Sequence, residues 1–162
     1  MSRSTLLKGA FTPRQALELT LSLYMNSMRM VTITLNDPLE VVGFPVKTFP
    51  MGIAEAFDKL KNILGSNRPY YGLSQMSSTG SLYIAAALKK SVNEKSEFEL
   101  EEYTIPKGKY AVRMIQDWKK NLSAIPHVFG DLLTDGIDHA VPCVEWYKND
   151  DEMLCMVKLA NR

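Results

Sequence analysis

Apolar residues along this chain recur at two spacings, and the switches between the two outline a repeated order of elements. From residue 12 to about 25, Ala16, Leu17, Leu19, Leu23 and Tyr24 give a broad apolar face. Thr12 suits the N-cap and Pro13 the first helical position, so a helix is predicted there, packed on its own domain or on a partner. Residues 30–35 and 40–47 read as strands. A helix from about 52 to 64 carries Ile53, Phe57, Leu60, Ile63 and Leu64 on one face, and Gly65 ends it. Residues 70–75 and 81–88 read as two more strands, joined by the turn Ser77-Ser78-Thr79-Gly80.

The second half repeats this order. Residues 97–105 read as a strand, Pro106-Lys107-Gly108 as a turn and 109–115 as a strand; the stretch 94–102 alternates Glu with Phe98 and Leu100, as a strand with one wet face does. A helix from about 125 to 133 carries Val128, Phe129, Leu132 and Leu133. Strands at 141–147 and 152–159, joined by Lys148-Asn149-Asp150-Asp151, close the series. The expected fold is α+β, with duplicated β-α-β-β modules preceded by a further strand (two ββαββ halves, about 30–90 and 97–160). Each half supplies antiparallel strands and one main helix, and a ligand cleft is expected between the halves. Residues 1–29 form an N-terminal extension and 30–162 the domain proper.

The length of 162 residues suits one such domain, and 46% hydrophobic with 23% charged residues is ordinary for a globular chain. A net charge of +1, with basic runs no longer than Lys89-Lys90 and Lys119-Lys120, gives no electrostatic footprint for nucleic acid, so none is expected to bind this chain alone. No apolar run approaches the ~20 residues needed to cross a bilayer, and the N-terminus lacks the apolar core of a signal peptide. No membrane association is expected, and the cytoplasm is the default compartment. Cys143 and Cys155 fall in neighbouring strands and read as buried thiols. Without CxxC, and with only His127 and His139, no zinc site or cofactor is expected. No G-x-S-x-G elbow accompanies Ser74, Ser77, Ser78 or Ser81, and Gly43, Gly52, Gly65 and Gly72 lack phosphate-loop spacing.

Candidate chemistry concentrates in Pro142-Cys143-Val144-Glu145-Trp146-Tyr147, where a lone carboxylate sits in an aromatic strand. Alternation puts Glu145 and Tyr147 on one face, Val144 and Trp146 on the other. Two readings follow from spacing. Glu145 is a solvated acid on an edge strand, since Glu is rarely buried unpaired; or it is the partner of an organic cation, or a general base, among aromatic rings. Tyr71, Tyr83, Phe49, Tyr103, Tyr110, Met114, Trp118 and Phe129 are candidates to line the cleft, each also an ordinary core residue.

Two segments carry a resemblance. Tyr103-Thr104-Ile105-Pro106-Lys107-Gly108-Lys109-Tyr110-Ala111 resembles the I-P-x-G-x-Y turn of the GyrI-like, or AraC-type, effector-binding domain, and residues 141–147 resemble its P-x-x-E-x-Y strand. The likeness spans about 30–159, with 154–159 similar to the closing strand. It implies a duplicated fold that binds small hydrophobic, often cationic, molecules between its halves, with Glu145 as the acid and Tyr147 as its aromatic companion. Tyr110 and Trp118, flanking the second-half turn, and Tyr71, their first-half counterpart, are then the preferred wall residues. The resemblance also implies alternatives: hydrolysis of reactive electrophiles by the same glutamate, or a gyrase-inhibitor-like protein-interaction module, with a partner docking on the N-terminal helix. The chain departs from the pattern at Gln116-Asp117-Trp118-Lys119-Lys120-Asn121, where the family has a glycine-containing turn, which puts Trp118 at the pocket mouth. The 29 residues before the domain are short for a DNA-binding domain, so a stand-alone binding domain is expected.

Overall fold

The structure, a computed structural model, describes residues 12–15 and 29–161. At the start, the Thr12 hydroxyl accepts from the Gln15 N–H at 3.2 Å while the Gln15 side chain accepts from the Thr12 N–H at 3.0 Å. This reciprocal pair caps a helix that begins at Pro13. The rest of the helix expected over 12–25 lies outside the described residues, as does its packing.

The elements that follow are β1 (Val31–Leu35), β2 (Leu39–Pro45), α1 (Ile53–Leu64), β3 (Tyr70–Ser77), β4 (Gly80–Leu88) and α2 (Glu94–Glu97). The second half supplies β5 (Glu101–Ile105), β6 (Gly108–Gln116), a 3₁₀ turn (Trp118–Lys120), α3 (Ala124–Leu132), β7 (Cys143–Tyr147) and β8 (Glu152–Lys158). The strands form one 8-stranded sheet, ordered β1-β6-β8-β7-β3-β4-β2-β5, with antiparallel pairing throughout. Exchanging each strand for its counterpart in the other half reverses this order onto itself. A pseudo-twofold axis therefore passes between β3 and β7, and the duplication expected from pattern is present.

Each half lends its first strand to the other. β1 pairs with β6, and β5 pairs with β2. Pro106-Lys107 thus is no hairpin turn; it joins strands at nearly opposite ends of the sheet. So short a link reaches only on the order of 10 Å, which requires the sheet to curl. The side chains agree. One face carries a cluster that, among the described residues, draws on all eight strands and on no helix, including Ile33, Val41, Tyr71, Ile84, Ile105, Tyr110, Val144 and Met156. A sheet can bury one face without helices only by folding over it.

The other face is covered by the two main helices. α1 sets Ala56 and Leu60 against Val42, Ala85 and Ala87, while α3 sets Phe129 and Leu132 against Ala111, Met153, Cys155 and Val157.

The strand expected over 97–105 is corrected. The short helix α2 ends at Glu97, residues 98 and 99 are a turn, and only Glu101–Ile105 is strand. The cause is Glu94, which is drawn inward: its carboxylate meets the Arg68 guanidinium at 2.7 Å and accepts from the Lys90 backbone N–H at 3.0 Å. Burial alone would raise the Glu94 pKa, but the Lys90 N–H and Arg68 outweigh it and the net direction is down. A lowered carboxyl contributes stability above its ordinary pKa and loses it as pH falls through the lowered value. Glu94→Gln is expected to cost about 2 kcal/mol at neutral pH by leaving Arg68 without its counter-charge. In urea titrations run at decreasing pH, that difference from wild type should shrink toward zero.

Candidate functional site

β7 lies beside the pseudo-twofold axis, flanked by β3 and β8. Its alternation sends Val144 and Trp146 into the helix-free cluster, and Cys143, Glu145 and Tyr147 to the helix-covered face. Glu145 stands opposite Gly72 on β3 and Cys155 on β8. It is a central-strand residue only 7% exposed, so the solvated edge-strand reading is set aside.

Gly72 makes the site possible. A Cβ there would lie 2.1 Å from the Tyr83 hydroxyl and 2.7 Å from Glu145 Oε2. The space a side chain would fill lets Tyr83 reach over from β4 and donate to Glu145 Oε2 at 2.7 Å. The Tyr147 hydroxyl donates to the same oxygen, and the two hydroxyls are 3.3 Å apart. Among the described residues nothing hydrogen-bonds Oε1, and no Lys or Arg pairs with this carboxyl.

Burial pushes the Glu145 carboxyl above the usual carboxylate range, and the hydrogen bonds from Tyr147 and Tyr83 only partly offset it. Burial, then the neighbouring carboxyl, pushes both tyrosines up, so they stay protonated and able to donate. The same two causes raise the Cys143 and Cys155 thiols, which are free. A thiol held protonated is a poor nucleophile.

Aromatic rings pack around the two tyrosines that hold the carboxyl. Phe49 stacks on Tyr83 with centroids 5.2 Å apart and planes 6° from parallel. Phe57 of α1 meets Tyr147 edge-on at 5.1 Å, and Trp118 approaches the same ring at 4.9 Å. The Trp118 indole N–H donates to the Asn149 carbonyl at 2.9 Å, which ties the 3₁₀ turn to the β7–β8 connection. Asp117, which opens that turn, has φ 48°, a conformation that favours glycine. Asp117 thus adopts the backbone expected of the missing glycine, and Trp118 follows it onto Tyr147.

Of the expected site residues, Glu145, Tyr147 and Trp118 come together. Tyr71 and Tyr110 do not. Both lie in the helix-free cluster on the opposite face, Tyr71 tilted against Trp146 at 6.0 Å and Tyr110 donating to the Pro106 carbonyl at 2.6 Å. Burial pushes each phenol up to about 12. Strand parity explains the correction, since register sets Gly72 rather than Tyr71 beside Glu145. Of the broader candidates, Tyr83 hydrogen-bonds the carboxyl and Phe49 stacks on Tyr83. Phe57, which helix periodicity marks as core, joins them through its contact with Tyr147. The signal that could have found this arrangement is Gly72, a glycine inside a strand, which marks a close approach. Among the described residues no group of three or more His, Cys, Asp or Glu is placed to hold a metal ion, and no helix is long and apolar enough to cross a membrane.

No known protein family and no curated protein matches the chain by sequence. Solved structures match it in shape. An integron cassette protein of Vibrio cholerae is 18% identical with a TM-score of 0.61, over 80% of this chain and 95% of that one. A protein solved with tetraphenylphosphonium bound is 14% identical with a TM-score of 0.60, over 83% and 95%. A hydrolase from Listeria innocua is 10% identical with a TM-score of 0.52, over 88% and 98%. The chain thus has a duplicated α+β fold, consistent with the GyrI-like type. One protein that shares this fold binds a small organic cation.

Proposed function

We propose that this chain is a GyrI-like effector-binding domain that takes up a hydrophobic, cationic organic compound between α1 and α3, with Glu145 as its charge partner. Residues 30–162 form the binding domain in this reading, and 1–29 an extension. The observation that carries it is a buried carboxyl with no cation among the described residues, hydrogen-bonded on one oxygen by Tyr83 and Tyr147, which pack in turn against Phe49, Phe57 and Trp118. An aromatic cation would gain the charge of Glu145 and the faces of these rings together. The carboxyl is buried behind Tyr83, Tyr147 and the rings packed on them, so a ligand has to displace some of these side chains. Trp118, on a short turn and half-buried, is the side chain assigned to swing.

Binding also has a proton balance. A cation favours ionised Glu145, whose pKa is raised in the free protein. Cation affinity should therefore rise with pH and level off once the free carboxyl is ionised.

The test is thermal unfolding with tetraphenylphosphonium and with the neutral triphenylphosphine oxide. At about 100 times Kd a ligand adds about 2.7 kcal/mol, which for a chain of this size is roughly 5–10 °C in Tm. The cation alone is expected to produce that shift, and Glu145→Gln to remove it. Equal stabilisation by both compounds, unchanged by Glu145→Gln, would sink the charge-partner role.

A second reading is supported by the unoccupied Oε1 and by the hydrolase that shares the fold. Here ionised Glu145 takes a proton from a water as it attacks a reactive electrophile, and Tyr147 orients the reacting group. Turnover of electrophilic substrates, lost in Glu145→Gln with cation binding absent from the wild type, would favour this reading over the first.

A further inference from the structure

We propose that the free edge of β1 is a self-recognition surface, on which a second copy of this chain docks its own β1 antiparallel to form a twofold dimer. The duplication supplies an internal comparison, because β1 and β5 are equivalent strands at the two ends of the sheet. An edge strand offers unpaired N–H and C=O groups, and proteins commonly guard such edges with charge. β5 is guarded. Its Glu101 and Glu102 are exposed, and Glu102 is held by Lys89 at 2.7 Å. β1 reads Val31-Thr32-Ile33-Thr34-Leu35, without a charge, and among the described residues no strand covers its outer side. Val31 is 43% exposed and the preceding Met30 57%.

The ladder fixes which backbone groups are free. The Leu159 N–H donates to the Lys109 carbonyl at 2.9 Å, so Lys109 turns its peptide groups toward β8. By alternation Tyr110 turns its own toward β1, where it stands opposite Ile33. Ile33 is thus engaged by β6, and Thr32 and Thr34 direct their N–H and C=O outward. An antiparallel partner aligned on Ile33 places its Thr34 against Thr32 and its Thr32 against Thr34, a matched set of free donors and acceptors.

The flanking sequence commits this edge to a second copy of itself. In that register Val31 faces the second copy's Leu35, and Arg29 lies beside the end of β1 where the second copy's chain bends through Asn36 and Asp37, so opposite charges meet at both ends of the contact. Among the described residues neither Arg29 nor Asp37 has an ion pair. The segment is therefore self-complementary in hydrogen bonding, shape and charge. Pairing of β1 with the β5 edge of another molecule would leave edges open at each end and build a filament; the β1–β1 contact closes.

The experiment is sedimentation of the full chain across micromolar concentrations, for wild type, Thr34→Pro, Arg29→Asp and Arg29→Asp with Asp37→Arg. Proline at position 34 removes an outward N–H and spares the ladder to β6. The wild type is expected to sediment as a dimer and Thr34→Pro as a monomer with unchanged circular dichroism. Arg29→Asp, which sets Asp against Asp twice, should raise the dimer Kd about tenfold or more, and adding Asp37→Arg should restore it. A monomeric wild type, including one whose β1 edge is covered by its own chain, overturns the proposal. So does a dimer indifferent to Arg29→Asp, whatever the folding of the proline variant.

Discussion

Glu145→Gln is expected to make the protein more stable above the ordinary carboxylate range while it removes the preference for cations. The carboxyl is buried, and its pKa in the folded chain is raised. Between the ordinary value and the raised one, the folded state holds a proton that the unfolded state has lost. Stability must then fall as pH rises through that window, by about 1.4 kcal/mol per pH unit, and level off above the raised pKa. Glutamine has no charge to desolvate, and its carbonyl can accept from both Tyr83 and Tyr147. The variant should match wild type in acid and exceed it progressively on the alkaline side. Urea titrations at a series of pH values read this directly. Parallel curves for the two proteins would mean that Glu145 ionises in the fold as easily as it does in water, and the site would lose its reason to seek a cation.

Gly43→Ala should be among the most damaging single substitutions in the sheet. β2 runs beside β4 with Gly43 opposite Ala86, and a Cβ at position 43 would fall 1.9 Å from the Ala85 carbonyl oxygen and 2.8 Å from Ala86 Cα. Both obstacles are backbone in a paired strand, so no side-chain rotation relieves them. The expected loss is about 4 kcal/mol or more, in the range reserved for backbone conflict and core collapse, out of a total of roughly 5–15 kcal/mol for an ordinary domain. Gly130→Ala is the matching control. Gly130 sits in α3 with nothing within 4 Å of its added Cβ, and there the exchange should stabilise by about 0.5–1 kcal/mol. Denaturant midpoints of the two variants should move in opposite directions. A tolerated Gly43→Ala would show that β2 and β4 can separate without loss of the fold.

Local pattern determined a large part of this protein. The alternating runs marked all eight strands to within a few residues, and the apolar stripes of 52–64 and 125–133 marked the two main helices, because strand and helix periods differ and each must bury one face. The same alternation placed Glu145 and Tyr147 on one face and Val144 and Trp146 on the other, as the structure has them. The order of elements carried the duplication. Parity within one strand, however, says nothing about parity between strands. Whether Tyr71 or Gly72 stands beside Glu145 depends on register across β3 and β7, and register is a long-range property. Tyr71 lies on the opposite face for that reason, and Tyr110 does so because the β6–β8 and β8–β7 registers bring Arg113 into line with Glu145.

Only the tertiary structure decided that each half gives its first strand to the other, since a short link such as Pro106-Lys107 reads the same whether the strands it joins pair or part. It also decided that the sequence 94–102 begins as a helix, because Arg68 lies 26 residues from Glu94 and the attraction between them has no local trace. Finally, it decided what surrounds the carboxyl. Tyr83 comes from two strands away, Phe57 from α1 and Trp118 from the turn after β6, and each reaches Glu145 or Tyr147 only after the sheet has assembled. The sequence by itself thus determined which residue carries the charge; the fold decided that water is kept from it, and a buried carboxyl without a counter-ion among the described residues is the basis of the proposed binding chemistry.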